Sequence, residues 1–200
     1  MKKFFLVLTL VIGCVMTGMA QDAKSVLDKC AGVVSAPEGV SASFTMESAQ
    51  YGSASGTIAV KGKMFHATTP IATMWFDGKT QWTLLARNNE VSVTNPTEPQ
   101  LQSINPYNFI NLYKSGFKYT MTTTTSSYNV HLTSTDANRK IQELFITVDK
   151  KTYSPTEIKL RQGSKWTTFT ISDFKKKVLS DAEFRFNSKD FPIAEVIDLR

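Results

Sequence analysis

From Val40 onward, apolar and polar residues alternate one by one. Val40, Ala42, Phe44 and Met46 fall on one side of an extended chain, and Ser41, Ser43, Thr45 and Glu47 on the other. A period of two sends successive side chains to opposite faces and predicts a strand. The small residues Gly52 to Gly56 read as a turn. Thr57 to Val60 forms a second strand, broken by Gly62, and Met64 to Thr69 a third, closed by Pro70. Thr73 to Phe76 and Gln81 to Leu85 flank Asp77-Gly78, a dipeptide suited to a hairpin turn. Glu90 to Thr94 stops before Pro96. Five further segments of strand character follow: Phe117 to Thr124, Tyr128 to Ser134, Ile141 to Asp149, Ser154 to Arg161 and Lys165 to Phe174.

Two segments carry the helical period instead. Over Ala23 to Val34, the residues Val26, Leu27, Cys30, Val33 and Val34 form one apolar stripe, which Pro37 and Gly39 end. Asn105-Pro106 suits a helix start, because proline's missing N–H would be unpaired there anyway. Phe109, Ile110, Leu112 and Tyr113 give that helix its apolar side, and Gly116 stops it. Many short strands, tight turns and no strand–helix–strand rhythm predict a mainly β, α+β domain. It is built on an antiparallel sheet or barrel whose inner face buries the helices.

The amino terminus changes where this domain is expected to work. Lys2 and Lys3 precede an apolar run from Phe4 to Val15, and Gly18-Met19-Ala20 ends in small residues. That is the plan of a secretory signal, too short to span a membrane. We place the cut after Ala20, which leaves a single domain over 21–200. Val11-Ile12-Gly13-Cys14 offers a second possibility, a lipoprotein anchored at Cys14. With the signal removed, Cys30 is the one remaining cysteine and has no internal disulfide partner. The formal net charge is +6, of which Lys2 and Lys3 supply two. The mild basic bias that remains, with one run at Lys175-Lys176-Lys177, accompanies no nucleic-acid-reading motif and reads as a solvated loop or strand end.

Candidate chemistry is sparse. Gly78-Lys79-Thr80 looks like the end of a phosphate loop, but Thr73 stands where that loop needs its first glycine. His66 and His131, the two histidines, alternate with apolar neighbours in strands and read as structural. No metal-ligand spacing and no nucleophile elbow occurs. A Ser-His-Asp site assembled from distant segments stays open. What stands out is apolar: Trp75, Phe76, Trp82, Phe44, Met46, Met64, Phe65 and Met74 crowd the first half of the sheet. Met74 and Phe76 lie opposite Trp75, so both faces of that strand are apolar. Two readings remain side by side, a strand sandwiched between core and helix, or a sheet with a lipid-binding concave side.

The segment Trp75-Phe76-Asp77-Gly78-Lys79-Thr80-Gln81-Trp82 resembles the DGKTLW-type hairpin of the LolA family, periplasmic carriers of outer-membrane lipoproteins. Gly56 to Lys61, Met64-Phe65 with Pro70, Asn89 to Thr94, and Ile104 to Tyr107 with Leu112 to Phe117 resemble its other landmarks in order, the last in the form of Bacteroidetes-type members. The resemblance implies an incomplete, strongly curved β-barrel with helices over its concave mouth. It also implies a non-catalytic carrier with no cofactor or metal, binding the acyl chains of lipoproteins and passing them from an inner-membrane ABC transporter to an outer-membrane acceptor as a monomer. Alternation then selects Phe44, Met46, Phe65, Met74, Phe76, Trp82, Leu84 and Val93 as cavity residues, with Phe109, Ile110 and Leu112 from a helix. Many relatives have an arginine lid latch after the second strand. Here Lys61 and Lys63 stand there, and lysine lacks the planar fork.

Overall fold

The computed structural model of the chain describes residues 22–50, 52–97, 100–101 and 112–200. The expected export signal with Cys14 and Ala20 lies outside these residues, as do Asn105, Pro106, Phe109 and Ile110. Helix α1 covers residues 22–34. The strands are β1 (Val40–Ser48), β2 (Gly52–Lys61), β3 (Met64–Thr68), β4 (Ala72–Phe76), β5 (Gln81–Leu85), β6 (Glu90–Thr94), β7 (Phe117–Thr123), β8 (Ser127–Ser134), β9 (Glu143–Asp149), β10 (Pro155–Gln162), β11 (Lys165–Lys176) and β12 (Glu195–Asp198). Two short 3-10 turns occupy Leu112–Lys114 and Asp181–Phe184.

All twelve strands join one curved open sheet in the order β12-β6-β5-β4-β3-β2-β1-β11-β10-β9-β8-β7. Two meanders, β1–β6 and β7–β11, run outward from a central seam where β1 pairs antiparallel with β11. The ends, β7 and β12, do not pair with each other, so the barrel stays incomplete. The expected mainly β architecture is therefore the observed one.

α1 explains the core. Ala23, Val26, Leu27, Cys30, Ala31 and Val34 recur at three- and four-residue spacing and are all buried. They pack on Val130, Leu132, Leu144, Ile146, Val148, Ile158 and Leu160, which alternation places on one face of β8, β9 and β10. We call the face carrying α1 the inner face. Burial pushes the pKa of the Cys30 thiol up to about 12, so it is an inert hydrophobe in the stripe.

The structure departs from the sequence reading in two places. Gly52 to Gly56 is not a turn but the start of β2. Gly56 pairs with Phe44, and a Cβ there would stand 3.0 Å from the ring's Cζ and overlap the Thr68 carbonyl. The bare backbone is what lets the ring and the neighbouring strand approach, so smallness serves close packing and not a turn. The second departure is β12, which pairs in parallel with β6 on an otherwise antiparallel sheet. Four residues after Pro192 carry too little pattern to announce a strand.

The carboxy-terminal segment crosses to the outer face. Gly39, at φ +107, brings its Cα so close to Leu179 that a Cβ would lie 2.6 Å from Leu179 Cδ1. Lys61 Nζ donates to the Leu179 carbonyl and to Asp181 Oδ1, both at 2.8 Å. Beyond it, Phe186, Phe191 and Ala194 pack on Trp75, Leu84, Val91 and Trp82. Lys175 and Lys176 end β11 and are exposed, as expected of that run.

Leu27→Ala should cost about 2–5 kcal/mol in urea unfolding, the range for emptying a buried leucine site. Val196→Ala, at a position 49% exposed, should stay within about 0.5 kcal/mol.

Candidate functional site

Cross-strand register fixes which side chains share a face. One inner row runs Val40, Val60, Phe65, Phe76 and Gln81, and the next runs Ala42, Ile58, Ala67, Met74 and Thr83. Across the seam, Phe44 faces Ile171 and Met46 faces Phe169. Phe169 in turn pairs with Ile158 on β10.

Burial along these rows is uneven. At the α1 end the inner face is sealed, and Leu132, Leu144, Ile146 and Val148 are wholly inaccessible. Val40, Val60, Phe65 and Phe76 form a second closed cluster, with the Phe65 and Phe76 ring centroids 5.5 Å apart. Between the two lies a band of half-buried apolar side chains: Phe44, Met46, Ile58, Met74, Phe169 and Ile171. Aromatic, thioether and branched groups that are only partly covered leave apolar surface to be satisfied by something other than this core. Phenylalanine and methionine suit an irregular apolar ligand.

The expected cavity residues divide. Phe44, Met46, Phe65, Met74 and Phe76 share the inner face, Phe65 and Phe76 as its closed floor. Leu112 packs against the α1 cluster. Trp82, Leu84 and Val93 do not join them. Phe76 pairs with Gln81 across the Asp77–Thr80 loop, so Trp82 takes the face of Trp75, and Leu84, Val91 and Val93 follow it outward. Apolarity alone reads there as inwardness, but the outer face of β5 and β6 has its own cover in Phe186 and Phe191. Counting the hairpin register from Phe76 reveals the switch. Sequence reasoning missed Ile58, Phe169 and Ile171, although Phe169 and Ile171 alternate with Thr168, Thr170 and Ser172.

Lys61 and Lys63, the possible lid latch, do not fasten α1. Lys61 holds the carboxy-terminal segment, and Lys63 is exposed at the β2–β3 turn. α1 is instead tied by the Tyr113 hydroxyl, which donates to Asp28 Oδ1 at 2.6 Å, while Tyr119 donates to the Tyr113 carbonyl at 2.8 Å. The Lys24 ammonium, with Tyr113 second, holds the Asp28 carboxyl below its usual range. Burial, then the Asp28 bond, raises the Tyr113 phenol. Lys29 reaches Tyr153 at 3.3 Å and lies over its ring.

The outer face carries a separate groove of about 740 Å³ between β3–β4 and the carboxy-terminal segment. Its lining includes His66, Trp75, Glu183, Asn187 and Asp190, mixed in character. His66 stacks on Trp75 at 5.3 Å, and burial holds it below its ordinary value. His131 stacks on Phe145 and contacts Glu143, whose carboxyl Arg161, and secondarily His131, keeps low. Both histidines thus have structural partners. Among the described residues no group of three His, Cys, Asp or Glu is arranged to hold a metal, and no helix is long and apolar enough to cross a membrane.

The family model described as outer membrane lipoprotein carrier protein LolA matches residues 14–164. No curated protein matches the chain significantly. Among solved structures, an uncharacterized conserved protein from Thermus thermophilus is similar at 11% identity and a TM-score of 0.60, over 88% of this chain and 99% of that one. LolA superfamily protein NE2245 from Nitrosomonas europaea shares 11% identity at a TM-score of 0.44, over 82% and 97% of the two chains. The Pseudomonas aeruginosa MucA/MucB complex gives 10% identity and a TM-score of 0.47, over 84% and 62%. At such identities the Thermus protein speaks for a common fold and for nothing further.

Tyr113→Phe should destabilise the protein by about 1 kcal/mol, the usual worth of one hydrogen bond. Asp28 is depressed in the folded state, so its contribution is complete above the unfolded value and fades as pH falls through the folded one. Paired urea titrations should show a gap between wild type and variant that is constant above about pH 5 and narrows below about pH 4.

Proposed function

We propose that this chain, which belongs to the family of outer membrane lipoprotein carrier protein LolA, binds the acyl chains of lipoproteins on its inner face and carries them from the inner to the outer membrane. The observation that carries this reading is the band of half-buried Phe44, Met46, Ile58, Met74, Phe169 and Ile171 between two closed clusters. The family is a carrier fold and not an enzyme family, and we assign no catalytic residue. The working site is the periplasm, with the signal cut after Ala20 and the released protein monomeric. Its donor is an inner-membrane ABC transporter and its recipient an outer-membrane acceptor.

The energetics suit a shuttle. Each buried methylene contributes about 0.8 kcal/mol, so an exposed acyl chain is a very poor solute in water. A carrier must shield it and still release it. A sealed core would admit nothing, and a wholly open apolar face would bind indiscriminately. A partly covered band bordered by packed clusters meets both demands. Phe65 and Phe76 make its floor, and Leu112 borders its α1 side.

Protein purified from its native compartment should yield co-purifying lipoprotein acyl chains in mass spectrometry and should bind a hydrophobic fluorescent dye. Phe169→Asp puts a charge in the band and should weaken dye and acyl binding by about tenfold or more, the worth of losing a buried aromatic contact. Protein that is empty and also ignores the dye would overturn the reading. Depletion should strand outer-membrane lipoproteins at the inner membrane. Normal sorting under depletion would point to a carrier of another lipid, or, with Cys14 acylated, to a membrane-anchored acceptor.

A further inference from the structure

One end of the inner face gathers two tyrosines and three lysines. Antiparallel pairing puts the β7–β8 and β9–β10 turns side by side, where Ser127 faces Asp149. Lys150 ties the two turns together. Its amide donates to the Ser126 carbonyl at 2.9 Å and its ammonium to the Thr124 carbonyl at 2.5 Å. Beside this clamp the rings of Tyr128 and Tyr153 stack with their centroids 6.0 Å apart. Lys150 lies over the Tyr128 ring at 5.3 Å, and Lys29 of α1 over the Tyr153 ring at 4.7 Å. Lys151 is exposed in the β9–β10 turn.

These charges are not neutralised locally. Among the described residues no carboxylate lies within ion-pair distance of Lys29, Lys150 or Lys151. Asp149 turns back on its own loop, where Oδ1 accepts from the Lys151 and Thr152 amides and from the Thr152 hydroxyl. Asp28 is engaged by Lys24 and Tyr113, and Asp22 stands two helical turns before Lys29. The tyrosines also belong to the apolar side of the molecule. Both are half-buried and pack against the α1 cluster, as Phe169 and Ile171 of the apolar band do.

A ring with a polar tip and a long stem with a hydrated head are the side chains that settle at the headgroup level of a bilayer. The cations of this cluster are all lysines. An ammonium is a hydrated point charge without the fork that fits a carboxylate, and lysine is depleted where proteins meet proteins. A dispersed field of lipid phosphates therefore suits the cluster better than an acidic protein surface. Resting on the reading that the inner face holds acyl chains, we propose that this rim, formed by Lys29, Lys150 and Lys151 with Tyr128 and Tyr153, docks on the surface of an anionic bilayer. The ammonium groups meet lipid phosphates, and the two rings enter the headgroup layer at the edge of the face that receives the chains. Such docking is peripheral and reversible, because three lysines supply a modest attraction that salt screens.

The test is cosedimentation of the protein with vesicles of phosphatidylcholine alone, or with about one third phosphatidylglycerol. Wild type should bind the anionic vesicles at least about tenfold more tightly than the neutral ones, and release them as salt rises. Lys29→Gln/Lys151→Gln should weaken that binding by about tenfold to thirtyfold, about fivefold for each lysine near the surface, with an unchanged thermal unfolding midpoint. Lys118→Gln/Lys165→Gln removes the same charge at the opposite end of the sheet and should bind as wild type does. Indifference of wild type to phosphatidylglycerol overturns the inference and leaves the rim to an acidic protein. Equal weakening by the two variants also overturns it, since net charge alone would then be at work. Binding of a hydrophobic dye is measured on the same samples. If the dye binds and the anionic vesicles do not, the carrier reading stands and this inference falls. If the vesicles bind in the expected pattern and the dye does not, the docking stands and the carrier reading falls.

Discussion

The pairing of β1 with β11 is the constraint on which the rest of the structure depends. It joins residues more than a hundred positions apart, Phe44 to Ile171 and Met46 to Phe169, and turns two separate meanders into one sheet. Without it, the β1–β6 half and the β7–β11 half would each end in an open strand, and the half-buried apolar band would be split between them. The pairing carries an irregularity between Ser41 and Ser43, and Asp173 opposite adopts φ +51. An extra residue in one strand bends it and sharpens its twist. The seam is thus a natural place for the sheet to curve toward α1.

From that seam the two halves solve the burial problem differently. On β8 to β10 only the inner face is covered, by α1, and the outer face carries polar and charged side chains with Phe145 among them, its ring centroid 5.9 Å from that of Trp166 on β11. On β4 to β6 the arrangement inverts. Trp75, Leu84, Val91 and Val93 turn outward under the carboxy-terminal segment, and the inner positions of β5 and β6 are mostly polar, Gln81, Thr83, Ser92 and Thr94 beside Leu85. One continuous sheet therefore has its core on one side at one end and on the other side at the opposite end. Trp75 and Phe76, neighbours in sequence and both buried, mark the crossover.

That inversion is also what limited the sequence. The strands were legible because alternation and turn residues report them locally, and α1 was legible because its stripe has the right period. The membership of Phe44, Met46 and Met74 in one face followed from the same alternation. The side on which Trp82, Leu84 and Val93 stand did not, because apolarity says that a residue is covered and not by what. The cover comes from Phe186 and Phe191, about a hundred residues downstream in a stretch with no period. Phe169 and Ile171 were missed for a related reason, since their importance comes from facing β1 and not from their own segment.

The path of the carboxy-terminal segment also sets when this protein can become itself. β6 receives its parallel partner from Glu195–Asp198, Trp75 takes the rings of Phe186 and Phe191 against its own, and β1 waits for β11. The first six strands gain their outer cover and their edge partner only when the segment from Phe186 to Asp198 is present. Such long-range pairing folds slowly. The β1–β6 half therefore stays incomplete, with the outer side of Trp75 open, for as long as the segment carrying Phe186 and Phe191 is not in place.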